Sequence, residues 1–366
     1  MSPDHRNATS VSPGGTIGIL GGGQLGRMLA QAAAKLGLRT HIYCDEKDAP
    51  AFEVAAEHTH ASYDDREMLA DFARACDAIT FEFENIPSAS VAFLETKKPT
   101  HPGSRALATA QDRLAEKTLA HALGWQTAPF AELDTLEQGE RALERIGTPA
   151  ILKTRRQGYD GKGQARIERR EDLAAAWQRL AGRSAILEGF VAFAFECSVI
   201  AARGRDGTFA AFDPPENSHG DHILRVSRVP APLSRKAQDE AIVIARSIAD
   251  ALDYVGVFAV EFFVTKSGEL LVNEIAPRVH NSGHWTIEAC TVSQFEQHIR
   301  AVAGWPLGDP SRHSDAVMEN LVGEDARDWA GLAASGGSLH LYGKTEIRSG
   351  RKMGHITRLS VRTHER

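Results

Sequence analysis

The sequence predicts a mixed α/β and α+β chain in three parts, and three stretches carry that expectation. A Gly-rich turn joins a strand to a helix near the N-terminus, a second Gly-rich loop separates two short strands in the middle, and two apolar strands flank Ser267-Gly268 in the last third. The 366 residues suffice for two or three domains, with cores that need no disulfides or structural metals. Apolar residues make up 42% and charged residues 25%, a globular balance that excludes a disordered or fibrous chain. Lys and Arg number 42 against 48 Asp and Glu, giving a net charge of −6. That argues against a general binder of nucleic acid or anionic membrane. Cys44, Cys76, Cys197 and Cys290 stand far apart with no C-x-x-C pair, which fits a reducing compartment and gives no zinc spacing. No apolar run is long enough to span a membrane. Residues 1–15 are polar, lack a signal-peptide core and are expected to form a disordered tail.

In chain order, 16–20 reads as a buried strand, Gly21-Gly22-Gly23-Gln24-Leu25-Gly26 as a turn, and the Ala-rich stretch to about residue 36 as a helix closed by Gly37. Residues 38–44 form a second strand, completing a βαβ unit. A helix is expected over 65–75, a strand over 78–83 and a single helix over 106–123. In the middle, strands are expected at 150–153, 165–168 and 185–188, with a helix at 172–180. A long helix covers 234–252, and strands cover 255–264 and 270–275.

The first motif is a G-x-G-x-x-G between strand and helix, where backbone N–H groups can meet a phosphate. Asp45 lies near the position of a ribose-binding acid. The motif leaves open a dinucleotide, another phosphate ligand or a structural tight turn. Lys153 ends an apolar strand and precedes Gly158, Tyr159, Asp160, Gly161, Lys162, Gly163 and Gln164. Such a loop can fold over phosphate, or be a flexible hairpin tip; it lacks P-loop spacing.

Physics makes the third motif the most informative. A Ser267-Gly268 hairpin turn, or a four-residue loop over 266–269, puts Glu261 directly opposite Glu274, provided no bulge intervenes. Opposed Cβ atoms lie about 4.5–5.5 Å apart. Two bare carboxylates at that range repel by about 3 kcal/mol at an effective dielectric of 20. Burial in apolar strands adds to the cost. An oxygen-liganded divalent ion bridged to phosphates would neutralise them, with Mg²⁺ the usual choice; otherwise one Glu faces solvent or pairs with Arg. Beyond this strand, Asn273 to Trp285 crowds polar groups at a strand end, including Arg278, able to grip a planar oxyanion, and His280. Arg351-Lys352-Met353-Gly354-His355 reads as a solvated basic turn or as a cation for an anionic substrate.

Taken together, these motifs resemble the ATP-grasp superfamily and, within it, the N5-carboxyaminoimidazole ribonucleotide synthetases of purine biosynthesis. The resemblance runs from about residue 16 to 357. It rests on the Gly21–Met28, Gly158–Gln164, Ala276–Trp285 and Gly350–His355 motifs in that order. It implies an ATP-grasp architecture: a Rossmann-like domain over 16–112, a small lid over 113–188 and a larger C-terminal domain over 189–366. It implies ATP-dependent carboxylation of 5-aminoimidazole ribonucleotide by bicarbonate through carboxyphosphate, with ATP and Mg²⁺, in a cytoplasmic homodimer. Residue by residue, it places Arg113 and Lys153 on the ATP phosphates, with the 158–164 loop closing over them. Glu188, Gly189, Phe190 and Val191 would line the adenine slot, and Glu196 and His219 the ribose side. Glu261 and Glu274 would hold Mg²⁺, flanked by Asn273, and Arg278 and His280 would orient bicarbonate. Gly23, Gln24, Leu25, Glu84, Asn281, Ser282 and Lys352 would contact the aminoimidazole ribonucleotide, with Tyr159 and Lys162 shared between loop and substrate. Lys162 stands where some relatives carry Arg. The competing readings are a formate-using ATP-grasp ligase, an NAD-dependent dehydrogenase and a catalytically dead nucleotide-binding scaffold.

Overall fold

The structure is a computed structural model that describes residues 10–156 and 163–363. Three sheets divide the chain. The first is parallel: Thr16–Leu20 pairs with Arg39–Cys44 on one side and Ala78–Phe81 on the other, and Glu57–His60 extends the edge. The helix Gln24–Lys35 lays Leu25, Met28, Leu29 and Ala33 against this sheet, a spacing that keeps them on one face. Gly37, at φ 71°, closes the turn in the left-handed region that glycine tolerates.

The single helix expected over 106–123 is two. Ser104–Ala110 ends, Asp112 intervenes, and Arg113–Ala122 begins. The Asp112 carboxylate accepts from the N–H groups of Leu114 and Ala115 at 3.1 and 3.4 Å. An Asp N-cap inside an apolar-periodic run therefore starts a new helix. The same carboxylate binds Arg155 from the next part of the chain, so the break also fixes how that part attaches.

The second sheet is antiparallel and runs Phe130–Leu133, Ala185–Gly189, Ala150–Thr154, Gln164–Ile167. It has a core of its own, built from Leu133, Leu143, Leu152, Ile167, Leu173 and Leu187.

The third sheet holds nine strands from Phe193 to Val361. Its centre, Phe193–Arg203 beside Gly256–Thr265, is antiparallel. Helix Arg235–Ala251, capped by Ser234 accepting from Ala237 N–H at 3.2 Å, packs Ile244 and Ile248 against Phe258 and Val260. The first and third parts share one core, in which Ile17, Ile19 and Leu29 cluster with Val257, Ile299 and Met318. Thr80 Oγ1 meets His298 Nε2 at 2.7 Å and Lys35 meets Glu296 at 2.7 Å across the same seam. The expectation of a disordered tail over 1–15 fails for its last residues. Val11 is buried, donates to Ala303 O at 2.9 Å and accepts from Trp305 Nε1 at 2.7 Å, because an apolar side chain there completes the shared core. Among the described residues no helix is long and apolar enough to cross a membrane, and all four cysteines are buried thiols.

Candidate active site

The hairpin of Gly256–Thr265 and Leu270–Ala276 builds the centre of the site. Its loop is three residues, 266–268, not the two or four expected: Thr265 N–H bonds Glu269 O at 3.0 Å, and Gly268 sits at φ 85°. This is the common three-residue hairpin closed by a left-handed glycine. It puts Val264 opposite Leu270 and Phe262 opposite Val272. Continued unbroken, that register would pair Glu261 with Asn273. A bulge between Glu261 and Phe262 on the ladder instead pairs Glu261 with Glu274. Asn273 is the extra residue, and a bulge turns successive side chains to one side. Glu261, Asn273 and Glu274 all line one cleft as a result.

That cleft, about 640 Å³, also takes in Gly23, Gln24, Leu25, Glu84, Arg113, Lys153, Gln164, Glu196, His219, Arg278, His280, Asn281 and Lys352. Burial pushes Glu274 up to about 7, and the Glu261 carboxylate opposite adds to the rise. Burial also presses Glu261 upward, but His280, whose Nε2 lies 2.9 Å from Glu261 Oε1, pulls it below the usual carboxylate range. Glu116 is raised well above its ordinary value by burial and then by Glu274; it accepts from Ile275 N–H at 2.8 Å. Three carboxyl groups thus crowd one wall. Their oxygen donors, and the strain of keeping them charged, fit a hard divalent cation.

Facing this wall, Lys153 Nζ bonds Glu188 at 2.8 Å, and buried Lys117 reaches the same carboxylate at 3.6 Å and Asn273 O at 3.2 Å. Burial lowers Lys117, with Glu188 acting against it. Glu188, expected beside the adenine, uses its carboxylate to fix two ammonium groups beside the cleft. The N–H groups of Gly189 and Phe190 are taken by Pro129 O and Pro149 O, and Gly189, Phe190 and Val191 lie outside the cleft lining, as does Gly163. His219 pairs with Glu196. Burial opposes the His219 charge, but Glu196 outweighs it and raises the imidazole above its ordinary value.

On the far side, Arg278 grips Glu84 through two nitrogens, one of them Nη2 at 2.8 Å. The two residues carried separate expected roles and here form one unit. Burial works to raise Glu84, but Arg278 holds it below its usual range. Asn281 is buried, lines the cleft, and has no partner for either amide atom among the described residues. Ser282 does not reach the cleft: it is fully buried behind His280. Gly158, Tyr159, Asp160, Gly161 and Lys162 lie outside the described residues.

The Gly-rich turn is not open to a pyrophosphate. Glu82 accepts from Gly23 N–H at 2.5 Å and Gly26 N–H at 2.7 Å, and a carboxylate in that place repels phosphate. Lys344 bonds Gln24 Oε1 at 2.5 Å and Lys352 O at 2.8 Å, and burial lowers it to about 8. Glu82, Glu116, Lys117 and Lys344 escaped sequence reasoning. Only Glu82 carried a signal, as an acid at the end of an apolar strand; the others are single charges on ordinary periodic stretches.

Glu288, His340 and His355 gather a second set of donor atoms within 4.8 Å of one another. The His340 and His355 rings are stacked at 4.5 Å and 7°. Parallel stacked rings cannot both aim in-plane lone pairs at one ion, so this is a packing and hydrogen-bonding cluster.

Family models match the chain in three consecutive stretches. They are described as a ribonucleotide synthetase preATP-grasp domain over residues 15–111, an ATP-grasp domain over 118–295 and a phosphoribosylaminoimidazole carboxylase C-terminal domain over 316–366. The N5-carboxyaminoimidazole ribonucleotide synthase of Brucella melitensis is 52% identical over 97% of this chain and 99% of its own length. That of Bacillus subtilis is 42% identical over 95% and 92%. Among solved structures, an ADP complex of N5-carboxyaminoimidazole ribonucleotide synthetase superposes with a TM-score of 0.92 at 40% identity, over 96% of this chain and 94% of that one. The Aspergillus clavatus synthase with ADP and 5-aminoimidazole ribonucleotide superposes at 0.88 and 31%, over 95% and 94%.

Proposed function

The chain belongs to the N5-carboxyaminoimidazole ribonucleotide synthase family of ATP-grasp ligases, and on that premise we propose how its residues carry out the reaction. ATP, bicarbonate and 5-aminoimidazole ribonucleotide give ADP, phosphate and N5-carboxyaminoimidazole ribonucleotide. Bicarbonate is a poor electrophile, and its phosphorylation to carboxyphosphate makes an activated carboxyl donor. The protein positions the reactants and neutralises charge.

The observation that carries this reading is the single cleft. It joins the Glu261–Glu274 wall to the Gly23–Leu25 turn, with Arg278 and His280 also on its lining, so a labile intermediate made at one end need not leave to be consumed. Arg113 and Lys153 hold the ATP phosphates, with Lys153 aimed by Glu188. Glu196 and His219 take the ribose. Glu261 and Glu274, flanked by Asn273, would hold Mg²⁺, which when bound would supply positive charge to offset that of the phosphates. Arg278 and His280 orient bicarbonate. Glu84, Lys352 and the unpartnered amide of Asn281 face the aminoimidazole ribonucleotide. The second sheet borders the cleft through Lys153 and Gln164, and would help keep water from carboxyphosphate. The family resemblance adds a cytoplasmic homodimer.

The test is ADP release with Mg²⁺–ATP and bicarbonate, with and without 5-aminoimidazole ribonucleotide. Strong stimulation, with loss of the free amine, is expected. No stimulation in folded, ATP-binding protein would sink the acceptor assignment and point to another amine, with glycinamide ribonucleotide and formate tried next.

A further inference from the structure

We propose that Ser282, Ser198 and Asn217 form a buried positioning chain that holds His280 as the tautomer with its proton on Nε2, directed at the cleft. None of the three touches substrate in the reading above, on which only the kinetic part of this proposal rests.

The chain is continuous. Ser227 Oγ donates to Asn217 Oδ1 at 2.8 Å, and Asn217 Nδ2 donates to Ser198 Oγ at 3.0 Å. Ser198 Oγ lies 2.7 Å from Ser282 Oγ, which lies 2.8 Å from His280 Nδ1. Ser198, Ser227 and Ser282 are 0% exposed and Asn217 6%. Each hydroxyl has one proton to give. Ser198 accepts from the amide, and among the described residues Ser282 Oγ is the one acceptor within reach of its buried proton, so that proton goes to Ser282. The Ser282 proton then goes to His280 Nδ1, which must be the bare nitrogen. The ring proton sits on Nε2, 2.9 Å from Glu261 Oε1.

The reverse polarity requires the Asn217 amide to turn over, and the backbone selects against it. Ser282 N–H also points at His280 Nδ1, at 3.4 Å, and a proton on Nδ1 would oppose it. Gln294 fixes the His280 backbone through its N–H and C=O at 2.9 and 2.7 Å, and the ring itself is held between Ser282 and Glu261. Neutral His280 therefore offers the cleft a donor. That donor meets Glu261 Oε1 on the cleft wall, and Nε2 in this tautomer has no lone pair with which to take the proton of an attacking amine.

The experiment is long-range ¹H–¹⁵N NMR of the full chain labelled in its 15 histidines, with His280 assigned by His280→Gln. The pattern of the Nε2–H tautomer is expected in the wild type; the Nδ1–H pattern would overturn the proposal. Asn217→Asp supplies a near-isosteric carboxylate that accepts from both serines, so it should reverse the chain. His280 should then carry its proton on Nδ1, and kcat/KM for bicarbonate should fall by about ten- to hundredfold, the usual cost of a lost outer partner. If this variant does not fold, Ser198→Ala breaks the chain without adding charge. It should give mixed tautomers and a fall in kcat/KM that Ser198→Thr restores. An unaltered tautomer in folded Asn217→Asp, or an inverted tautomer with unchanged kcat/KM, would overturn the positioning role. The tautomer is read without turnover, so failure of the carboxylation reading shows separately, as absent activity with the Nε2–H form intact.

Discussion

Glu261 faces Glu274 because Asn273 is one residue more than the ladder needs. The bulge turns Asn273 and Glu274 to the same cleft and presents the Asn273 carbonyl to Lys117. Two adjacent residues of one strand thereby serve one site, which a regular alternation forbids.

Glu274→Gln should abolish turnover while leaving the fold intact, since it removes one charge of the proposed metal pair. It should also stabilise the unliganded protein. Glu274 titrates near 7 in the fold, above its ordinary value, so as pH rises the unfolded chain ionises first and the fold loses stability until about 7. The variant escapes that loss. Its Tm advantage should be absent near pH 4 and full above about pH 7. An unimpaired rate at saturating Mg²⁺–ATP would refute the metal assignment.

The Glu82 carboxylate should matter more to structure than its neighbours on the cleft. Glu82→Ala leaves the Gly23 and Gly26 N–H groups without their buried acceptor, which should cost about 3 kcal/mol. Glu82→Gln keeps one acceptor oxygen and should cost less. Urea unfolding of the two variants checks the order, and a raised KM for the aminoimidazole ribonucleotide should accompany the alanine change.

Gly268→Ala probes the hairpin loop alone. The position has φ 85°, and an added methyl would meet open space, so the cost is backbone strain, about 1 kcal/mol. A small drop in Tm with unchanged kcat is expected. A large loss of activity would mean that the loop, rather than the Asn273 bulge, sets the register of the glutamates.

His219 should give stability a slope with pH. Its folded value lies above the ordinary 6.5 because Glu196 outweighs burial. Its contribution is therefore complete below about 6.5 and disappears as pH climbs through the raised value. His219→Gln should flatten that part of a Tm profile taken from about pH 6 to about pH 9. A wild-type profile already flat there would refute the pairing.

The three-part layout and half of the residues lining the cleft are legible in the sequence, because strands, glycine turns and charged strand ends are local signals. The carboxylate pair follows from the sequence by a wrong route. A two-residue turn predicts it, but the actual three-residue loop and the Asn273 bulge shift the register in opposite senses and cancel. Neither is written in periodicity. Asp112 splits a helix that apolar spacing alone makes continuous. Lys117, Glu116 and Lys344 gain their roles from partners 71 to 320 positions away, a distance at which spacing carries no information. Ser282 belongs to a recognised motif, yet only packing reveals that it supports His280 from behind.

The seam between the first and third parts has a consequence for biosynthesis. Val11, Lys35 and Thr80 find their partners at Ala303, Glu296 and His298, so the first sheet waits for most of the chain to be made before its outer face is covered. At roughly 5–20 residues per second, the delay between Thr80 and His298 is on the order of ten to forty seconds. During that time Ile17, Ile19 and Leu29 lack their final cover on the ribosome. The nascent first domain is thus the stretch of this protein for which a chaperone holding apolar surface would matter most.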